Sequence, residues 1–118
     1  MKTLKFAGSS QNDLRNFPTE ARRDAGFQLH FVQVGQTPFD WKPLNLVGAG
    51  VMEIRIRREG EWRIVYLARF EDSVYVLHAF QKKTQRTSRT DIDLARARYK
   101  EIEALEKAKQ KEKQQRLS

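Results

Sequence analysis

Residues 51–81 read VMEIRIRREGEWRIVYLARFEDSVYVLHAFQ, and this stretch decides the fold. Three β-rich runs, Val51–Arg58, Trp62–Phe70 and Ser73–Gln81, are separated only by Glu59-Gly60-Glu61 and Glu71-Asp72, a spacing that predicts an antiparallel meander. The first run alternates: Met52, Ile54 and Ile56 fall on one face, and Glu53, Arg55 and Arg57 on the other. One face should therefore pack on a core while the opposite face presents charge.

Upstream of the meander, Lys2 to Phe6 reads as a short strand, and Gly8, Ser9 and Ser10 break its pattern, with Ser10 and Asp13 marking a helix start. Pro18 interrupts that helix. A second one is expected from Thr19 to about Val34, with Ala21, Ala25, Leu29 and Val32 spaced as a buried stripe and Gly35 as its stop. Gly35 to Gly50 carries Pro38, Pro43 and Gly48 around Phe39 and Trp41, the composition of an ordered loop. Downstream, Thr90 and Asp93 form a variant capping box, and Ile92, Ala95, Tyr99, Ile102 and Leu105 recur at helical spacing. Beyond about Lys107 nearly every residue is Lys, Gln or Glu, so residues 107–118 are expected to fray as a polar tail behind a domain at 1–106. The order implies an α+β fold: an N-terminal strand and helices on one face of a twisted antiparallel sheet, with a C-terminal helix. The other sheet face is then expected to lie open, with Arg55 and Arg57 projecting from it.

A chain of 118 residues with 39% hydrophobic content fits one modest domain. No apolar run approaches the roughly 20 residues that cross a bilayer, and Met1 to Phe6 lacks a signal-peptide core, so the protein is expected to stay where it is made. With no cysteine and two histidines, His30 and His78, disulfides, thiolate nucleophiles and a histidine metal cage are excluded, and a reducing cytoplasm fits. No metal or cofactor is expected. A net charge of +8 points to polyanions or to an acidic protein partner, and by itself does not separate an enzyme from a passive binder.

Residues 51–100 resemble the phage-derived, HigB-like branch of the RelE toxins. The likeness rests on Glu53-Ile54-Arg55, on Trp62-Arg63-Ile64-Val65-Tyr66, on His78-Ala79-Phe80-Gln81-Lys82-Lys83-Thr84, and on Asp91-Ile92-Asp93-Leu94-Ala95-Arg96 with Tyr99. The resemblance implies a RelE-like fold and a metal-independent, ribosome-dependent mRNA endoribonuclease that inhibits translation. Its implied partners are the 70S ribosome with mRNA and a cognate antitoxin carrying a helix-turn-helix domain. Arg55 and Arg57 match the family's basic positions on one strand, Arg63 the arginine opening the next, and Lys82 and Lys83 the basic pair after the last strand. Glu53 departs from the lysine of RelE toxins, and Gln85 to Arg89 lacks their tyrosine.

Metal-free RNA cleavage needs a base for the 2′-hydroxyl, cations for the extra charge on the phosphorane, and an acid for the 5′-oxygen. Arg55 and Arg63 suit the middle task because a guanidinium stays charged and can grip two oxygens; the alternative is a plain solvated strand face. Arg63 is expected beside Arg55 on the open face, where its removal would delete a clamp and not packing. Lys82 and Lys83 are candidates for proton transfer, since neighbouring cations lower a lysine pKa. Glu53 is the second choice as base, against a structural ion pair. Arg57, Trp41, Lys42 and Arg86 are candidate RNA contacts, Trp41 by stacking or else as an anchor. His78 is expected as a core residue among Val74, Val76 and Phe80 on its own strand face. A ParE-like gyrase poison and a non-catalytic nucleic-acid-binding module are the competing functions.

Overall fold

The computed structural model describes residues 1–117. Its elements run β1 (Thr3–Phe6), α1 (Ser10–Arg15), α2 (Thr19–Gln33), β2 (Trp41–Pro43), β3 (Val51–Arg57), β4 (Glu61–Leu67), β5 (Ser73–Gln81) and α3 (Arg89–Leu117). The expected meander is β3-β4-β5, closed at its first turn by Glu59 and Gly60, both at positive φ (57° and 123°). The fold is α+β and RelE-like. Among the described residues no helix is long and apolar enough to cross a membrane.

Three features differ from the sequence expectation. The sheet is mixed, in the order β1-β5-β4-β3-β2, because β1 lies parallel to β5. After β1 the chain passes through α1 and α2 and re-enters at the far edge, leaving β1 beside the last strand. Trp41 to Pro43 is not loop but an edge strand, pairing Trp41 with Ile54 and Lys42 with Glu53. Finally, α3 stays helical through the polar segment to Leu117, with Arg116 reaching Glu112 one turn back, instead of fraying from about Lys107; Ser118, the end of the expected tail, lies outside the described residues.

The helices also do not share one face. Ala21, Ala25, Leu29 and Val32 of α2 are buried as expected, with Leu14 and Phe17, on Ile54, Ile56, Ile64, Tyr66, Val74, Val76 and Ala79. The second face is covered in large part by α3, whose Ile92, Ala95, Tyr99 and Ile102 pack on Val51, Val65, Leu67, Tyr75 and Leu77. β4 and β5 are apolar on both sides, and a strand of that kind needs two covers. Leu105, expected in the docking stripe, is exposed, and its neighbour Glu106 is the residue that meets the sheet, accepting from the Tyr75 hydroxyl.

A bulge in β5 sets the side-chain phase. Val65 pairs with His78 but Tyr66 pairs with Val76, so Leu77 is the extra residue. Its carbonyl accepts from Arg98 Nη1 at 2.9 Å, and Arg98 Nη2 donates to Ser9 Oγ at 3.1 Å. Gly8, at φ 52°, makes room for that guanidinium: a Cβ there would stand 2.6 Å from Arg98 Nε.

Candidate functional site

The α3-side face is not covered to its end. Past Val65, the register places Glu53 beside Lys42 and Val65, and Arg63 between Arg55 and Phe80. Glu53 is fully buried, although its strand neighbours Arg55 and Arg57 are partly or largely exposed. Its Oε1 lies 3.5 Å from Arg63 Nε and 3.8 Å from Lys42 Nζ, and neither carboxyl oxygen makes a hydrogen bond. Ion pairs alone compensate this carboxyl group for lost hydration.

Arg63 does stand beside Arg55, but it does not project into solvent: only 5% of its side chain is accessible. Its Nη1 donates to Glu61 Oε2 at 2.9 Å and to the Trp62 carbonyl at 3.0 Å. The expectation that its removal would spare packing is corrected by this geometry, because Arg63 is the nearest counter-charge of a buried carboxyl group. Arg55 is more open and clamps Asp40, with Nε and Nη2 at 3.0 and 2.9 Å from Oδ1. Arg57 lies 3.9 Å from the same aspartate and 3.6 Å from Glu61.

Lys82 joins the cluster from the end of β5, where its backbone N–H donates to the Glu61 carbonyl at 2.7 Å. Partial burial first, and then the Arg63 cation, hold its amine below the ordinary lysine range; Lys42 acts in the same sense, while Glu53 and Glu61 act against it. Lys83 and Arg86 are exposed on the segment leading to α3. Trp41 lies apart from the cluster: it is 39% exposed and lines a cleft of about 380 Å³ with Val32, Met52 and Tyr66, on the α2 side of the sheet. Lys42, its neighbour, points the other way and belongs to the cluster.

His78 is buried, as expected of a core histidine, but in different company. The bulge turns it to the α3 side, stacked on Phe80 with ring centroids 4.6 Å apart, while Val74 and Val76 pack on the opposite face. Its Nε2 is 2.7 Å from Asp91 Oδ1, and its Nδ1 has no partner among the described residues. Asp91 also accepts from Ser88 Oγ at 2.7 Å, and its backbone N–H donates to that oxygen at 3.1 Å. The cap of α3 is thus Ser88 with Asp91, not Thr90 with Asp93. The sequence reading does not anticipate Asp40, Glu61 and Asp91 at the site, nor Arg98 at the bulge. Ser88 three residues before Asp91 is a capping signal legible in the sequence; Asp40 and Arg98 act through long-range contacts that leave no local pattern.

This arrangement, a mixed sheet between two helical layers with a buried ion cluster at one exposed end, defines the chain as a RelE-like α+β protein. Residues 12–100 match the model of the phage-derived protein Gp49-like family (DUF891), and the chain belongs to that family, which is associated with RelE-like toxins. No curated protein matches the chain. A toxin-like family implies an antitoxin as partner.

Proposed function

We propose that the chain is the toxin of a type II toxin–antitoxin pair, a metal-independent endoribonuclease of the HigB-like kind that cleaves mRNA on the 70S ribosome in the cytoplasm and is silenced by a helix-turn-helix antitoxin. The observation that carries this reading is the gathering of Lys82, Arg63, Glu53 and Lys42 at the uncovered end of one sheet face, with Arg55 alongside. A lysine whose pKa is lowered by desolvation and a neighbouring guanidinium can be neutral often enough to take a proton.

In this reading the neutral Lys82 amine removes the 2′-hydroxyl proton, and the oxygen attacks the adjacent phosphorus. Arg55 and Arg57 hold the non-bridging oxygens as the phosphorane gains charge. The bond to the 5′-oxygen breaks, and exposed Lys83 returns a proton to it, leaving a 2′,3′-cyclic phosphate and a 5′-hydroxyl. Arg63 and Glu53 are too buried to reach RNA and serve as positioning residues: they fix the field around Lys82 and the path of β4 beneath it. Lys42 and Arg86 supply further phosphate contacts.

A specific observation favours a second reading, the non-catalytic basic binder: Arg55 and Arg63 already have carboxylate partners, as structural ion pairs do. Cleavage of ribosome-bound mRNA separates the two. Wild type should cut, and Lys82→Ala should lose about 100-fold or more while still cosedimenting with ribosomes. A folded wild type that leaves ribosomal mRNA intact would remove the nuclease, and inhibition of gyrase in its place would select the ParE-like alternative.

A further inference from the structure

β2 pairs with β3 only as far as Ile54, and among the described residues no strand lies beside the outer edge of β3 from Ile56 to Arg57. There α2 and the segment before β2 bring three phenylalanines together. Phe27 meets Phe31 edge-on at 4.8 Å, Phe31 meets Phe39 at 5.3 Å, and Phe27 meets Phe39 at 6.4 Å. Burial does not account for the cluster, since Phe39 is 75% exposed and Phe27 54%. Nor is Phe39 loosely held: its backbone N–H donates at 2.8 Å to Oε1 of Gln28, a buried side chain. Two fixed aromatic rings therefore face water.

A cleft of about 420 Å³ joins these rings to Arg55, Arg57 and Arg58. Asp40 and Asp24 also line it. Asp40 is taken up by Arg55 at 2.9 Å, whereas Arg57 and Arg58 remain 62% exposed with carboxylates no nearer than 3.6 Å. Three guanidinium groups against two carboxylates leave the cleft with an excess of positive charge beside two exposed rings, a combination that attracts an anion carrying a flat apolar group. It suits a nucleotide, whose base has a π-face and whose phosphate is anionic.

We propose that Phe39 and Phe27 form a stacking platform for one unpaired base of single-stranded RNA, with Arg57 and Arg58 neutralising the adjoining phosphates. The inference rests on the reading of the chain as RNA-directed and adds to it a second subsite. Arg55 and Arg57 belong to both places, so one strand runs from the cluster around Lys82, over the edge of β3, to the phenylalanines.

The test is equilibrium binding of a labelled short oligoadenylate and of an abasic oligomer of the same length. Phe39→Ala, which removes an exposed ring and keeps the fold, should weaken oligoadenylate binding by about 5-fold to 100-fold and leave the abasic oligomer unaffected. Phe39→Trp should restore binding. Arg57→Ala should weaken both oligomers and flatten the salt dependence by about one counterion. Equal affinity of wild type and Phe39→Ala for oligoadenylate overturns the platform, as does wild type binding the two oligomers alike. A Phe39→Ala protein that keeps RNA but loses its antitoxin overturns it too, in favour of a protein-docking surface. Cleavage stands apart from these outcomes. Wild type that cuts ribosomal mRNA while its oligomer binding ignores Phe39 keeps the nuclease and loses the platform; wild type that stacks oligoadenylate through Phe39 but never cuts does the reverse.

Discussion

The two faces of the sheet are built from the same three strands and end differently. Under α1 and α2 the cover is apolar to the end of the hairpin, where Phe17 closes over Trp62 with ring centroids 4.6 Å apart. Under α3 the apolar cover stops at Val65, with the carboxyl group of Glu53 beside it in the same row and Arg63, of almost equal burial, in the next. The first face is held by area removed from water. On the second, part of the stability hangs on charges that must all be present together, and such a region sets chemistry at the expense of tolerance to change.

The sharpest test of that contrast is Arg63→Ala against Ile64→Ala, neighbours on opposite faces. Arg63→Ala strands Glu53 without its nearest counter-charge and should cost about 3–5 kcal/mol in urea unfolding. Adding Glu53→Leu should recover most of that loss without restoring RNA cleavage; no recovery would mean the pair is not what holds this end together. Ile64→Ala should cost about 3 kcal/mol from lost burial and the cavity left behind, and nothing in the double variant should resemble its effect. Next in size, Arg98→Met leaves the Leu77 carbonyl of the bulge unpaired and should cost about 2 kcal/mol, with hydrogen exchange accelerated first around residues 77–78.

Smaller still are shifts in the pH dependence of cleavage. In the proposed mechanism the neutral amine of Lys82 is the active form, so the rate should climb with pH and level off below the ordinary lysine range. Lys42 lowers that pKa and Glu61 raises it. Lys42→Met should therefore move the inflection up, and Glu61→Gln should move it down. Movement in one direction from both variants would exclude Lys82 as the group that titrates. Smallest of all, truncating the chain before residue 108, where 108–117 are exposed throughout, should change stability by no more than about 0.5 kcal/mol.

Local pattern carried most of the fold. Strict alternation from Met52 to Arg57 named the two faces of β3, and Ala21, Ala25, Leu29 and Val32 named the buried side of α2 correctly. What the alternation hid was the second cover. Val65, Leu67, Tyr75 and Leu77 interleave with the residues of the first core, so β4 and β5 read as continuous apolar runs, and such runs mean burial on both sides. The stripe Ile92, Ala95, Tyr99 and Ile102 is legible in the sequence, but the sheet face that it covers is not. The face that His78 takes is hidden for a different reason: a single extra residue at Leu77 reverses every later position in the strand, and no local signal announces it. At the site, the residue types were readable and the depths were not. Glu53 and Arg55 look alike on a polar strand face, yet Glu53 lies under Arg63 and Lys42 while Arg55 reaches out to Asp40, and only the register across three strands separates them.

The parallel pairing of β1 with β5 bears on when the protein comes into being during synthesis. β1 is made before the other described elements, but its strand partner is β5, the last strand of the meander, and Ser10 Oγ finds the Val76 carbonyl 66 positions away. The second tie, from Ser9 to Arg98, spans 89 positions. These are contacts of high sequence separation, whose loop-closure entropy is met before any of them forms. A nascent chain therefore holds an unpaired N-terminal strand through most of its elongation. The five-stranded sheet is complete only once β5 has emerged, and the tie from Ser9 waits for Arg98 of α3.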